Sequence, residues 1–214
     1  MKRTIYALMV AALALVGSQG ALAQDMTFFI TSVGLGNGGD LGGLEGADAH
    51  CQALAESAGA GDRTWRAYLG TETEGGRGTD ARSRIGEGPW HNANGDLIAE
   101  DLDQLHVSPN MFAGTGLDEN GNRVNARGDQ PNKHDILTGS MADGTAYFPD
   151  DADHTCNNWT SSGEGSAQVG HHDRHGGGNT SWNSAHASRS CSQEDLQATG
   201  GDGLFYCFAV VTTP

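Results

Sequence analysis

The chain has 214 residues and a formal net charge of −15 at pH 7, and 33 of its residues are glycine. This acidic balance argues against binding to nucleic acid or to anionic membrane surfaces, and it suits a soluble protein or one that holds cations. The length is within the range of one domain, and the abundance of glycine predicts long, irregular loops.

The N-terminus has the pattern of a secretory signal peptide. Two basic residues precede an apolar run over residues 5–17, and Ala21 and Ala23 form a small-x-small cleavage site. We expect cleavage after Ala23, which leaves residues 24–214 as a single secreted or periplasmic domain and residues 1–23 as the signal peptide. An uncut signal anchor is the alternative. No later apolar run is long enough for a membrane span.

The first elements of the mature chain are a strand, a helix and a second strand. Residues 26–33 (MTFFITSV) are rich in β-branched and aromatic side chains, which predicts the first strand. An amphipathic helix is predicted next, because apolar residues recur at helical intervals: Leu44, Ala47, Cys51, Leu54, Ala55 and Ala58. Gly59 is expected to end this helix. In residues 64–69, Trp65 and Ala67 alternate with more polar neighbours, which predicts a strand with one buried face.

The later part of the chain is mostly loop until its last strand. Asn94-Gly95 lies between two short runs, which is a strong signal for a β-hairpin. Residues 101–190 contain only short ordered pieces, whereas residues 203–211 (GLFYCFAVV) form an apolar run that predicts a central strand. The expected fold class is therefore α+β, with short strands, one clear N-terminal helix and a long loop region.

Four cysteines remain after the expected cleavage: Cys51, Cys156, Cys191 and Cys207. An even number in an exported chain indicates two disulfides, and three pairings are possible. No two cysteines have the spacing of a zinc ribbon. Because Cys51 lies on the buried face of the predicted helix and Cys207 in the predicted last strand, we expect an outer bridge Cys51–Cys207. An inner bridge Cys156–Cys191 then ties the loop region.

The order of these elements resembles the C-type lectin-like fold, in the broad sense that includes endostatin-like domains. The resemblance rests on a strand, a helix with Cys51, a tryptophan-containing strand, a long loop region, Cys156, the segment SWNSAHASRSC at 181–191 and the final strand FYCFAVV. It covers essentially the whole mature chain. Segments such as CNNWTSS at 156–162 also look like bacterial secreted proteins described as lectin-like. The resemblance implies short antiparallel strands and a ligand held by the loop region.

Two short motifs match those with which sugar-binding members of this family hold calcium. The tripeptide QPN at residues 130–132 and the pair WN at 182–183 stand in the family's order relative to the cysteines. Loop amides and carboxylates supply the six to eight oxygens that Ca²⁺ prefers. The resemblance implies a carbohydrate or other extracellular ligand, with Ca²⁺ as a cofactor. The candidate ligand-binding residues are Gln130, Asn132, Asp135, Trp182 and Asn183.

The match to the calcium motifs is incomplete. Ser184 stands where the family has an aspartate, which removes a carboxylate, and Lys133 places a cation beside the tripeptide. The alternative interpretation is structural: Pro131 fixes a loop, while Trp182 and Asn183 pack and form hydrogen bonds in the core.

A second hypothesis concerns the loop VGHHDRHGGG at residues 169–178 and a histidine that follows it. His171, His175 and His186 can bring imidazoles together for Zn²⁺ or Cu²⁺, and Asp173 can be a further ligand or orient one ring. Three more histidines can add to this site: His106, His134 and His154. The flexible glycines and the lack of a specific metal motif leave solvated polar residues as the alternative.

Catalytic motifs are missing from the sequence. It has no GxSxG motif and no phosphate-binding glycine loop that ends in lysine and serine or threonine, and the expected disulfides use all four cysteines. We therefore expect a secreted, carbohydrate-binding protein that is not an enzyme. The alternative function is that of a copper- or zinc-binding protein that uses residues 171–186, and a third is an enzyme of the same fold.

Overall fold

The structure is a computed structural model that describes residues 25–211. The expected signal peptide lies outside these residues. Within them, no helix combines the length and the apolar character needed to cross a bilayer.

The described chain is a mixture of short helices and short strands, as the α+β prediction requires. The helices are α1 (Gly43–Ser57), α2 (Leu102–Val107) and α3 (Gln193–Thr199), with a 3-10 helix at Ala81–Arg84 and one helical turn at Cys156–Trp159. The strands are β1 (Phe28–Ile30), β2 (Trp65–Ala67), β3 (Glu72–Thr73), β4 (Gly76–Arg77), β5 (Trp90–His91), β6 (Leu97–Ala99), β7 (Asp135–Leu137), β8 (Gln168–His171), β9 (His186–Ala187) and β10 (Gly201–Ala209).

Strand β10 is the central strand of the main sheet, whose order is β1-β10-β7-β8-β9, with β2 also paired to β10. Strands β5 and β6 form the hairpin predicted around Asn94-Gly95. Strand β7 runs parallel to β10, with Leu137 opposite Phe205, so the sheet differs from the expected antiparallel arrangement in this pair. Parallel neighbours need a long connection, and the chain between β7 and β10 provides it by forming β8, β9 and α3.

Helix α1 covers one face of the sheet, as its apolar stripe predicts. Ala47, Cys51 and Ala55 are fully buried in a cluster that also contains residues of β2 and β10. The helix ends before Gly59, which adopts a φ of 83°, a backbone conformation that glycine adopts without steric cost. In β2, Trp65 and Ala67 are buried while the residue between them is exposed, which confirms the predicted alternation.

A second apolar cluster covers the opposite face of the sheet. Phe28 of β1 and Phe208 of β10 belong to it, together with three large aromatic side chains: Tyr68, Trp90 and Trp182. Both faces of β10 are therefore buried. This explains why its sequence is a continuous apolar run rather than an alternating one.

Both predicted disulfides are present, Cys51–Cys207 and Cys156–Cys191, so all four cysteines are paired. The outer bridge joins α1 to β10. The inner bridge joins residues 35 positions apart, and the loop that it closes carries β8 and β9. This loop is therefore anchored where it leaves the core and where it returns.

The turn Cys156–Trp159 is left-handed, with φ between 48° and 65° at all four residues. For L-amino acids this conformation costs about 1–2 kcal/mol per residue, so it requires support from its surroundings. The inner disulfide holds its first residue, and the buried Trp159 donates from Nε1 to the carbonyl oxygen of Gly70 at 2.7 Å. Two asparagines, which tolerate this backbone region, occupy the middle of the turn.

Candidate metal centre

Three strands bring polar residues to one end of the sheet. Asp135 and His171 are cross-strand partners on β7 and β8, and His186 on β9 is the partner of Val169. Because alternate residues share a face of a sheet, Asp135, His171 and His186 lie on the face that also presents Leu137 and Val169. These two apolar residues are buried in the same apolar cluster as the inner face of α1, so the polar group begins where that cluster ends.

Three imidazole nitrogens converge on one carboxylate oxygen at this end of the sheet. The Nε2 atoms of His134, His171 and His186 lie 3.2, 3.3 and 3.6 Å from Oδ1 of Asp135. The rings of His134 and His171 stack with 4.3 Å between their centroids, and His186 meets His171 edge-on at 5.0 Å. These four residues, His134, Asp135, His171 and His186, are called the His–Asp cluster.

The His–Asp cluster is largely removed from water. His134 and Asp135 are 5% exposed and His171 is 4% exposed, whereas the side chain of His186 is 42% exposed. Both carboxylate oxygens of Asp135 and both ring nitrogens of His171 are buried without a hydrogen bond of acceptable geometry to any described residue. Each such buried group costs about 1–3 kcal/mol. A cation between the rings and the carboxylate satisfies several of these atoms at once.

A hydrogen bond at the other ring nitrogen fixes the orientation of two of the three imidazoles. Nδ1 of His134 lies 3.2 Å from Oδ1 of Asp173, and Nδ1 of His186 lies 3.0 Å from the carbonyl oxygen of Ala187. When Nδ1 carries the proton and donates to these oxygens, Nε2 keeps its lone pair and faces Asp135. Histidines that bind metals are commonly oriented in this way.

Asp173 is a buried carboxylate behind the cluster. It accepts hydrogen bonds from the backbone N–H groups of Arg127 at 2.7 Å and of His175 at 2.9 Å. Burial alone raises the pKa of Asp173, but the His134 side chain and these two N–H groups outweigh burial and hold the pKa well below its ordinary value. The carboxylate is therefore ionised at neutral pH, and it holds the Nδ1 proton of His134 in place.

The central carboxylate is also ionised. Burial raises the pKa of Asp135, but the adjacent imidazoles of His171 and His186 outweigh burial and leave the pKa below its ordinary value. In return, Asp135 raises the pKa of His186. The cluster therefore attracts positive charge, either as a proton on an imidazole or as a metal ion.

The spacing of the cluster suits a transition-metal ion. With metal–ligand bonds of about 2.0–2.2 Å, two ligands of a tetrahedral ion lie about 3.3–3.6 Å apart. The Nε2–Oδ1 distances of 3.2, 3.3 and 3.6 Å match this separation, and the ligand atoms of His134, Asp135 and His171 all lie within 4.8 Å of one another. His186 lies outside this tighter group. Two imidazoles and one carboxylate, with a third imidazole beside them, suit Zn²⁺ or Cu²⁺, whereas Ca²⁺ requires six to eight oxygens.

A cavity of about 520 Å³ opens in front of the cluster. Its wall consists of the three cluster histidines, Arg127, Ala185 and residues 176–179, and none of these is acidic. Because the partly exposed ring of His186 also borders this space, a metal ion in the cluster is reachable by solvent and by small molecules.

The structure brings together only part of the metal site predicted from the sequence. His171 and His186 belong to the cluster, and Asp173 takes the orienting role rather than that of a ligand. His175 is exposed, and it contacts the site through its backbone N–H, which binds Asp173. His134, which the sequence suggests only as a further candidate, is the ring that Asp173 orients.

The sequence predicts Asp135 as a ligand of a sugar or of calcium, but Asp135 lies instead among the imidazoles. Asp135 and His134 belong to the segment KHDIL, which is distant in sequence from the histidine loop. The sequence feature that points to these two residues is a His-Asp pair at the start of a short apolar run. The other candidate histidines lie elsewhere: Nε2 of His106 is 2.8 Å from the hydroxyl of Tyr68, and the ring of His154 stacks on a tyrosine.

The predicted sugar-binding residues are divided between two places. Gln130 and Asn132 line a separate cavity of about 600 Å³, which residues 197–202 complete. Inside it, Lys133 forms an ion pair with Asp202 at 2.5 Å. The cation beside the tripeptide is therefore already paired with a carboxylate.

Trp182 and Asn183 do not line that cavity. Trp182 packs between Tyr68 and Tyr206, with centroid separations of 4.9 and 5.1 Å. The amide nitrogen of Asn183 donates to the hydroxyl of Tyr68 at 2.9 Å and to the carbonyl oxygen of Met141 at 3.1 Å. These contacts correspond to the structural alternative considered for this pair.

No protein-family model matches this chain, and no curated protein matches it in sequence.

Proposed function

We propose that this protein binds a transition-metal ion, Zn²⁺ or Cu²⁺, through His134, Asp135, His171 and His186. The observation that carries the proposal is the approach of three Nε2 atoms to within 3.2, 3.3 and 3.6 Å of one buried carboxylate oxygen. Protonation of the imidazoles does not by itself account for three rings around one carboxylate. One protonated imidazole balances the charge of Asp135, and further protonated rings at this distance repel each other. One divalent ion bound by neutral rings removes the conflict.

The proposed setting of this activity is extracytoplasmic, with residues 1–23 as a cleaved signal peptide. The two disulfides support it, because disulfides form and persist in secreted and periplasmic proteins. The proposed activity is binding of the ion rather than catalysis, since the sequence carries none of the catalytic motifs considered above.

The test is a metal titration of protein purified without a histidine tag and stripped with a chelator. Calorimetry with Zn²⁺ and with Cu²⁺ is expected to give one site per chain. Asp135→Asn keeps the side-chain size and removes the charge, and His171→Ala removes one ligand. Each variant is expected to bind at least about 100-fold more weakly, or about 2.8 kcal/mol.

His154→Ala is the matched control, because His154 also contacts an aspartate but lies outside the cluster. It is expected to bind metal like the wild type. Equal affinity in His154→Ala and His171→Ala, or a wild-type protein without stoichiometric binding, contradicts the proposal.

A second candidate function is carbohydrate binding at the cavity lined by Gln130 and Asn132, on a C-type lectin-like fold. The support is the cavity itself, whose amide and ionic groups can bind sugar hydroxyls, together with the nested disulfides and the order of elements. A glycan-array screen of wild type and Gln130→Ala/Asn132→Ala tests it. Binding that is lost in the double variant supports this site, and reversal by chelator identifies calcium as its cofactor. Binding retained in the variant contradicts it.

A further inference from the structure

We propose that the cavity in front of the His–Asp cluster binds a small oxyanion, a carboxylate or a phosphate. One of its oxygens binds the metal ion and another binds the guanidinium of Arg127. This inference rests on the metal site proposed above and adds the chemical class of the ligand that the site accepts.

The guanidinium of Arg127 lies near the ring of His134. A Cβ atom placed on Gly176 lies 2.4 Å from Nη1 of Arg127 and 3.5 Å from Cε1 of His134, so the guanidinium and the imidazole flank the same glycine. Cε1 lies between Nδ1 and Nε2, so the guanidinium is near the edge of the ring that carries both nitrogens. The backbone N–H of Arg127 donates to Asp173, which ties Arg127 to the carboxylate that orients His134.

The guanidinium of Arg127 has no carboxylate within ion-pair distance among residues 25–211. Five other arginines of this acidic chain do form such pairs: Arg66, Arg82, Arg84, Arg123 and Arg189. Arg127 is exposed and lines the cavity. Its planar fork of N–H donors therefore remains accessible to an oxyanion, the partner whose geometry it matches best.

The charges around the cavity favour an anion. A divalent ion held by Asp135 and three neutral imidazoles keeps about one positive charge. Arg127 adds a second, and the ionised Asp173 behind His134 offsets one of them, so about one positive charge remains. None of the lining residues is acidic. Asn179, the other polar side chain in the wall, already donates to the carbonyl oxygen of Ser184 and accepts from the N–H of Ser181. The metal ion and Arg127 are thus the groups left to bind a ligand.

The cavity has room for such a ligand. Its volume of about 520 Å³ is within the range of small-molecule sites, about 300–1,000 Å³. Gly177 and Gly178 in its wall have no neighbouring atom within 4 Å of the point that a Cβ would occupy, so the entrance is open on that side. A zinc ion with four ligands can accept a fifth, and the oxyanion can therefore bind without displacing a cluster residue.

The test uses the full chain loaded with Co²⁺, whose visible absorption depends on the number and geometry of its ligands. Acetate and inorganic phosphate are titrated at pH 7.5 and constant ionic strength, with acetamide as the neutral control. At least one anion is expected to change the spectrum saturably, and acetamide is not. The anion that binds more tightly identifies the class of ligand.

Two variants locate the anion. Arg127→Met removes the charge and is expected to raise the anion Kd about tenfold or more, because charge-assisted bonds of this kind contribute about 1.4 kcal/mol or more. Arg174→Met, on the same loop as Gly176 but outside the cavity wall, is expected to leave it unchanged. Both variants are expected to bind Co²⁺ within about threefold of wild type, because Arg127 contacts Asp173 through its backbone.

The outcomes separate the two proposals. A wild-type protein that does not take up Co²⁺ overturns the metal site and, with it, the oxyanion site. If Co²⁺ binds but neither anion alters the spectrum, the oxyanion proposal alone is overturned. The same holds if Arg127→Met binds the anion as well as wild type, or if it loses Co²⁺ affinity by more than threefold.

Discussion

The carboxylate of Asp173 lies 3.2 Å from Nδ1 of His134, while Nε2 of the same ring lies 3.2 Å from Asp135. Asp173 thereby selects the nitrogen that can bind a metal ion, because a proton held on Nδ1 leaves the lone pair on Nε2. Residues 171–173 thus contribute to the cluster in two ways, through the ring of His171 at the end of β8 and through Asp173 as the partner of His134.

Asp173→Asn is expected to weaken Zn²⁺ binding about 10- to 100-fold, the range typical of losing a carboxylate that orients a metal-binding histidine. The two backbone N–H groups bind different oxygens of Asp173, and the single amide oxygen can still accept from one of them; the fold is expected to persist. Asp150→Asn is the matched control, because Asp150 lies 3.2 Å from His154, outside the cluster. Zinc titrations of both variants check this. An Asp173→Asn protein with wild-type affinity contradicts the orienting role.

Two variants distinguish the site seen in the structure from the one predicted from the sequence. They are His134→Ala and His175→Ala. His134→Ala removes a ligand and is expected to lower zinc affinity at least about 100-fold. His175→Ala keeps the backbone N–H that binds Asp173 and is expected to change the affinity less than about threefold. Competition with a chromogenic zinc chelator measures both. If His175→Ala loses more affinity than His134→Ala, the assignment of ligands is wrong.

The sequence predicts α1, β2, the central strand and both disulfides, because the patterns that indicate them are local in the chain or covalent. The stripe around Cys51 predicts α1, and the alternation around Trp65 predicts β2. The run around Cys207 predicts the central strand, and both disulfides follow from these placements. Each signal depends on residues close together in the chain, or on the number of cysteines in an exported protein.

The sequence predicts only part of the candidate site, because the site forms where strands that are distant in the chain pair with one another. Strand β7 has three residues, too few for a periodic pattern, and β9 has two. Nothing in the sequence aligns Asp135 with His171, since that alignment is the register between β7 and β8, two strands that lie far apart in the chain. The tripeptide around Asn132 suggests a sugar site that includes Asp135, although Asp135 lies among the imidazoles.

The stabilisation that Zn²⁺ provides is expected to shrink as the pH falls from 7.5 to 5. Imidazole binds a metal only when neutral, and its ordinary pKa is about 6.5, so protons compete increasingly below that value. Asp135 raises the pKa of His186. Protonated His186 therefore stabilises the metal-free protein at low pH, and this contribution is lost as the pH rises through its folded-state pKa. The two effects favour the metal-free form in acid and the metal-bound form at neutral pH.

Thermal melts with and without Zn²⁺ across this pH range measure the effect. At a hundredfold excess over Kd, an ion that binds only the folded state stabilises it by about 2.7 kcal/mol. The increase in Tm is expected to be largest at pH 7.5 and to disappear near pH 5. An increase of equal size at both ends of the range argues against imidazole ligands.

Removal of the inner disulfide is expected to affect metal binding more than removal of the outer one, although it costs less stability. In the chain-entropy model, the outer bridge joins cysteines that are 156 positions apart and contributes about 5 kcal/mol. The inner bridge joins cysteines that are 35 positions apart and contributes about 4 kcal/mol. The inner loop, however, carries His171 and His186. Without the bridge this segment is less restrained, and a metal ion must also order it against β7 when it binds. The cost of that ordering lowers the affinity.

The two variants for this comparison are Cys156→Ala/Cys191→Ala and Cys51→Ala/Cys207→Ala, in which alanine suits the buried positions. Urea unfolding measures stability, and zinc titration at low temperature, where circular dichroism shows folded protein, measures affinity. The inner variant is expected to bind Zn²⁺ at least about tenfold more weakly than the outer one. Equal zinc affinity in two folded variants shows that β8 and β9 hold the ligands in place without the bridge, because the pairs Asp135–His171 and Val169–His186 then suffice to order the site.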